Sequence, residues 1–160
     1  MINLPNKIPV FPLSNFIIFP EMTVPLNIFE PRYLQMINDA MKGSKIIGII
    51  QPKKQNQTIP SLYNIGCAGK ITNYNETDDG RYLIVLSGIS RFKIMQEINT
   101  EKLYRECKVN FNDFKIDLNK CKEEIKFSDL ELIFNKSKSL FNKQGYTINW
   151  KDLELQSLNQ

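Results

Sequence analysis

The chain has 160 residues, 42% hydrophobic and 24% charged, with a formal net charge of +4 and no histidine. That length suits one domain, or one domain with an appendage, and argues against two full ones. No apolar run reaches the roughly 18 residues of a membrane span, and without histidine the chain lacks the commonest metal ligand and the usual general base near neutral pH.

At the N-terminus Pro5, Pro9 and Pro12 interrupt any apolar run, so a secretory leader is not expected and a cytoplasmic location is. Cys67, Cys107 and Cys121 fit neither a disulfide framework nor the spacing of a zinc site, and are read as reduced, buried or incidental thiols. The basic excess is spread over both halves and interleaved with acids, which gives little support to a nucleic-acid stripe.

From residue 7 to about 116 short β-branched and aromatic runs alternate with Pro, Gly, Asn and Asp, the pattern of strands. Ile8–Phe11 and Thr23–Phe29 carry prolines that suit edges or rims. Between them, Phe16, Ile17, Ile18 and Phe19 make an apolar loop that is a candidate binding surface, against the plainer expectation of an enclosed strand.

At Pro31 the pattern turns helical. Proline suits the first helical position, Glu30 the cap, and Phe29 with Leu34 the positions of a hydrophobic staple. Tyr33, Leu34, Ile37, Ala40 and Met41 form the core-facing stripe, with Gly43 as the stop. Glu30 and Arg32 flank the proline as a catalytic pair could, but helix-start rules employ both residues, and the two need not face one another.

Lys45–Ile50 reads as a buried strand. Gln51–Pro60 is polar and is expected to be a mobile loop. Gly69–Tyr74 and Arg81–Leu86 flank Asp78-Asp79-Gly80, whose Asp-Gly pair supplies the positive φ of a hairpin turn. Phe92–Ile98 and Tyr104–Phe114 bring the count to about seven strands, which must curl into a small barrel. Gly88 marks a bulge or sharp turn, and Phe92 resumes the inward alternation as a core residue. Arg91 has two readings: partner of an acid or of backbone carbonyls, or contact for an anion or peptide carboxylate.

Past residue 116 the period becomes helical. Leu130, Ile133, Phe134, Ser137, Leu140 and Phe141 share one face, Ser128 and Glu131 stand as a capping box, and Gly145 is a stop. A second helix is expected to begin near Asn149 or Asp152.

Four stretches together resemble the N-terminal domain of Lon proteases: "FPLSNFIIFPEMTVPLNIFEPRYLQMINDAM" (11–41), "GII" (48–50), "IGCAGKI" (65–71) and "LSGISRFKI" (86–94). Order and spacing match from about residue 8 to 115. Two departures stand out: Glu21 follows Pro20 where the family usually has glycine, and Asn27 stands where histidine is frequent. The resemblance implies an α+β fold that is mainly β, a PUA-like pseudo-barrel over 1–116 with an inserted helix, and a C-terminal helical segment over 117–160 in a short or truncated member. On this reading Phe29, Glu30, Pro31, Arg32, Tyr33, Gly88, Arg91 and Phe92 are family-motif residues with structural roles.

The resemblance implies substrate recognition, not proteolysis. These 160 residues contain no phosphate-binding loop: Asn64 occupies the first glycine position of the nearest match and Ile71 follows Lys70. A GxSxG nucleophile elbow is also missing. The expectation is a stand-alone, non-catalytic polypeptide-binding or adaptor domain with no metal or cofactor, working on unfolded or client polypeptides, with a protease or ATPase as a further candidate partner. The alternative is an RNA-binding PUA-like module, by analogy of fold alone.

Overall fold

The computed structural model describes residues 4–53, 60–119 and 127–145, except for the side chains of 127–131 and 134. The chain divides into two compact units, Met1–Lys120 and Cys121–Gln160.

In the first unit six strands form one sheet: β1 (Lys7–Pro12), β2 (Thr23–Ile28), β3 (Ile46–Ile50), β4 (Ile65–Glu76), β5 (Tyr82–Ile98) and β6 (Arg105–Asn110). The spatial order is β2-β5-β4-β3-β1-β6, and a further β5–β6 pairing closes five of the strands into a ring, leaving β2 as an edge. All pairs are antiparallel except β1 with β3. One strand can serve three partners because β5 is 17 residues long: its first half lies between β2 and β4, and its second half pairs with β6.

The expectation of about seven strands is corrected to six among the described residues. The two runs expected at Arg81–Leu86 and Phe92–Ile98 belong, from Tyr82 on, to the single strand β5, which absorbs its bend at an irregular register beside Gly88 instead of breaking. Tyr104–Phe114 is also shorter than expected: β6 stops at Asn110, and a 3-10 segment, Asn112–Leu118, follows. The hairpin is as expected. Gly80 has φ +79, and Thr77 N–H donates to the Arg81 carbonyl at 2.9 Å.

The run IIGII of β3 is buried at every position because both faces of that strand are covered. Ile46 and Ile50 enter the ring interior with Ile8, Val10, Ala68, Phe92 and Val109. Ile47 and Ile49 point the other way, into a cluster roofed by helix α1 (Pro31–Met41) through Tyr33, Met36, Ile37 and Ala40. Phe92 is fully buried, and a Cβ at Gly48 or Gly66 would strike its ring. Those two positions are small so that one phenyl ring can fill the barrel axis.

Helix α1 starts at Pro31 with Glu30 as its extended N-cap, but the Glu30 side chain makes no capping hydrogen bond. The carboxylate instead pairs with Arg32, at 2.7 Å from Nη2 and 2.9 Å from Nε, so the two residues do face one another. The staple is corrected: Phe29 is 61% exposed, and Leu34 packs against the core without it. Gly43 follows the end of the helix as expected, since α1 stops at Met41 with Lys42 as its C-cap. Gly43 carries no positive φ; Lys45 does, at 59°, and its N–H returns to the Ala40 carbonyl at 3.0 Å.

A polar network ties α1 to β1 and β6. The Tyr104 hydroxyl donates to Asp39 Oδ2 at 2.8 Å, and Lys102 Nζ donates to that hydroxyl and to Glu106 Oε1. Lys7 reaches the other Glu106 oxygen at 3.0 Å.

In the second unit α2 spans Phe127–Lys143, where the heptad-like stripe placed a helix. Of that stripe Ile133 and Leu140 are more than half exposed. The capping-box side chains of Ser128 and Glu131 and the helix expected from Asn149 or Asp152 lie outside what is described, as does most of the Gln51–Pro60 loop. Among the described residues no helix is long and apolar enough to cross a membrane.

Candidate functional site

The site grows from the loop between β1 and β2. Leu13 N–H donates to the Ile50 carbonyl at 2.9 Å, anchoring the start of the loop to the end of β3. At its other end Met22 N–H returns to the Phe19 carbonyl at 3.2 Å, with Pro20 and Glu21 between them and Glu21 at φ 65°. Proline followed by a positive φ is the pattern of a type II turn, a position that favours glycine for lack of a Cβ clash.

That turn is fixed to β5 by Gly88. Gly88 N–H donates to the Met22 carbonyl at 2.8 Å, and Glu21 N–H donates to the Gly88 carbonyl at 2.9 Å. A Cβ on Gly88 would collide with the carbonyl of Phe19. Two motifs far apart in sequence, the apolar loop and the glycine of LSGISRF, are thus one device: the glycine lets the loop backbone lie directly on the strand.

Held at both ends, the loop alternates. Ile18 is 2% exposed and belongs to the core, and Phe16 is half-buried against the same cluster. Ile17 and Phe19 stand out at 57% and 55% exposure. Together with Tyr63 and Ile65, both about half exposed, and with Lys53 and Arg91, they line a groove of about 620 Å³. Sequence reasoning found residues 16–19 and missed Tyr63 and Ile65. Tyr63 and Ile65 are ordinary apolar residues at the start of a strand, and only the sheet register brings them beside residues 16–19.

Arg91 resolves in favour of an acid partner, with one face left at the groove. Its Nε and Nη2 donate to Asp117 Oδ2 and Oδ1 at 2.9 and 2.7 Å, its backbone N–H donates to the same carboxylate, and its guanidinium lies 4.8 Å from the centre of the Phe114 ring. Hydrogen bonds from Arg91 hold the Asp117 carboxyl below the usual carboxylate range against the opposing effect of burial. Asp117 was not singled out from sequence, because it lies in the segment taken for the end of a strand and the start of the helical part.

At the groove floor Cys67 is buried, and that burial pushes its thiol up to about 12, so it is a packing residue and not a thiolate. Burial likewise raises Cys107 to about 11. Among the described residues no three or more acidic or cysteine side chains are grouped to hold a metal ion. The other motif residues lie apart from the groove or beneath it: Glu30, Pro31 and Arg32 at the start of α1, Tyr33 with its ring tilted against that of Phe11 at 4.1 Å between centroids, and Phe92 inside the ring of strands.

This ring with its roofing helix and pinned loop is a fold of the Lon N-terminal type. It is shared with the Lon N-terminal domain protein from Xanthomonas campestris (TM-score 0.54, 23% identity, 66% of this chain and 59% of that one). The N terminal domain of Mycobacterium avium complex Lon protease gives a TM-score of 0.58 at 17% identity, over 93% of this chain and 73% of that one. The sequence model of the ATP-dependent protease La (LON) substrate-binding domain matches residues 7–159, and the chain belongs to that family. It is 31% identical over 101 residues to the Lon protease of Flavobacterium johnsoniae and 26% identical over 126 residues to that of Cytophaga hutchinsonii. Those alignments cover 61% and 76% of this chain but only 12% and 15% of the relatives, so the chain spans a small part of their length. The part it matches is the substrate-binding domain, not the ATPase or protease domain.

Proposed function

We propose that this chain is a non-catalytic polypeptide-binding domain, an adaptor or recognition module that engages unfolded client proteins in a cytoplasmic setting through the groove between Phe16–Phe19 and Tyr63–Ile65. The observation that carries this reading is the exposure of Ile17 and Phe19 on a backbone anchored at both ends. Large apolar side chains held rigidly in water cost free energy that only a partner recovers, and a groove with apolar walls suits side chains presented by a loosened chain. A protease or ATPase acting on the bound client is consistent with the family, whose model describes a substrate-binding domain.

The RNA-binding alternative has Lys53 above the Tyr63 ring in its favour, at 6.0 Å from the centroid, since aromatic and basic side chains together can stack a base. Against it, Lys53 and Arg91 are the only charged residues lining the groove among the described residues, and Arg91 is engaged with Asp117. Fluorescence anisotropy with a labelled, permanently denatured protein separates the two. Burial of apolar surface predicts micromolar binding that changes little between about 50 and 200 mM salt, and Ile17→Ser and Phe19→Ser should weaken it about tenfold or more with the fold intact. A steep salt slope with single-stranded RNA, together with indifference to the denatured protein, would reverse the order of the two readings.

A further inference from the structure

The groove has two properties that an apolar surface alone does not require. The first is main-chain. Among the described residues no hydrogen bond reaches the backbone of Phe16, Ile17 or Ile18, although the chain on either side is bonded at Leu13 and at Phe19. Among the described residues the main-chain donors and acceptors of this short stretch of the groove lining have no partner, whereas such groups are nearly always paired in a finished interface. The second is charge. Among the described residues every charged side chain lining the groove is a cation: Lys53, which has the Tyr63 ring and no acid as a partner there, and Arg91, whose Nη1 is not used in its paired contact with Asp117.

From these we infer that the occupant is an extended polypeptide segment that combines apolar side chains with a carboxylate. Its backbone pairs beside Phe16–Ile18, its apolar side chains fill the space between Phe19 and Tyr63, and its Asp or Glu lies at Lys53. This deepens the reading of the groove as a polypeptide site and rests on it. Backbone pairing supplies affinity without regard to sequence, as in strand addition to an open edge, whereas the cationic rim sorts clients by the sign of the charge beside their apolar run. Segments flanked by lysine or arginine are disfavoured, because the groove lining offers them no acid.

The test uses the full 160-residue chain and three labelled ten-residue peptides with the same apolar centre, flanked by Asp, Ser or Lys. At about 50 mM salt the Asp peptide should bind roughly two- to fivefold tighter than the Ser peptide and the Lys peptide correspondingly weaker, the range expected for one partly exposed ion pair. The gap should close at about 0.5 M salt. Because the whole chain carries +4, general attraction has to be separated from the local one: Lys53→Gln should erase the preference and Lys53→Glu should invert it. An Asp peptide N-methylated at every second residue should bind at least about fivefold more weakly, since its strand can no longer donate.

Equal affinity for the three peptides, or a preference untouched by Lys53→Gln, overturns the charge selection while leaving a polypeptide site in place. Unchanged affinity of the N-methylated peptide overturns the strand geometry. Failure of all three peptides to bind overturns this inference and the proposed function together.

Discussion

The carbonyl of Phe19 occupies the space that a side chain on Gly88 would need, and the two residues belong to one turn-on-strand contact closed by hydrogen bonds at 2.8 and 2.9 Å. Replacement of Gly88 by alanine must push the loop off β5. The expected cost is about 1–3 kcal/mol, the range for overpacking a well-filled site, with weakened client binding because Ile17 and Phe19 lose their support. Gly43→Ala is the control: its nearest neighbours would be 3.8 Å away, so its urea midpoint should stay near that of the parent protein. Equal midpoints for Gly88→Ala and Gly43→Ala would show that the contact is dispensable.

Glu21 adopts φ 65°, and among the described residues its side chain makes no hydrogen bond or ion pair that compensates for it. An L-residue in the left-handed region costs about 1–2 kcal/mol relative to glycine. Glu21→Gly should therefore stabilise the fold by about 1 kcal/mol, less whatever the added freedom of the unfolded chain takes back. Thermal unfolding of the two proteins side by side reads this directly, and a lower midpoint for Glu21→Gly would mean that the turn is not strained.

Two carboxylates should make the fold acid-sensitive. Hydrogen bonds from Arg91 lower Asp117; burial raises Glu106, but Lys7 and Lys102 outweigh that and leave it lowered overall. With folded pKa values below unfolded values of about 3.9 and 4.3, the unfolded chain takes up protons first as pH falls. The stabilisation is therefore complete above about pH 5 and is lost as pH drops through the folded values. Urea midpoints should be level from about pH 6 to 8 and fall below about pH 4.5, with a shallower fall in Asp117→Asn. Arg91→Ala should cost about 1–3 kcal/mol at neutral pH, because it removes both side-chain hydrogen bonds to the 8% exposed Asp117 carboxylate and leaves it only the backbone N–H of residue 91. Stability that rose on acidification would contradict both assignments.

The helix start should tolerate more than its motif suggests. Phe29 is 61% exposed, and Glu30 and Arg32 pair at the surface, so Phe29→Ala and Arg32→Ala should each change stability by less than about 1 kcal/mol. Pro31→Gly should cost about 1 kcal/mol or more, because it frees a φ that proline sets for the first helical position. Chemical denaturation of the three variants settles the ranking, and a large loss in Phe29→Ala would mean that the staple forms in solution.

What the amino-acid sequence determined by itself is local and periodic. Pro31 set the start of α1, Asp79-Gly80 set the hairpin, and the 3.6-residue stripe announced α2, because each depends on neighbours a few residues apart. The family was also legible in four ordered stretches, since their spacing survives low identity. What the tertiary structure alone decided is every contact made across the sheet. Phe29 followed the staple pattern yet faces water, Glu30 stood at the cap yet bonds Arg32, and the positive φ after α1 falls at Lys45 and not at Gly43. The groove depends on Gly88 lying against Phe19 and on Tyr63 and Ile65 sharing a lining with Ile17, juxtapositions set by strand register. Register is a property of pairs of segments far apart in the chain, so no window of sequence contains it.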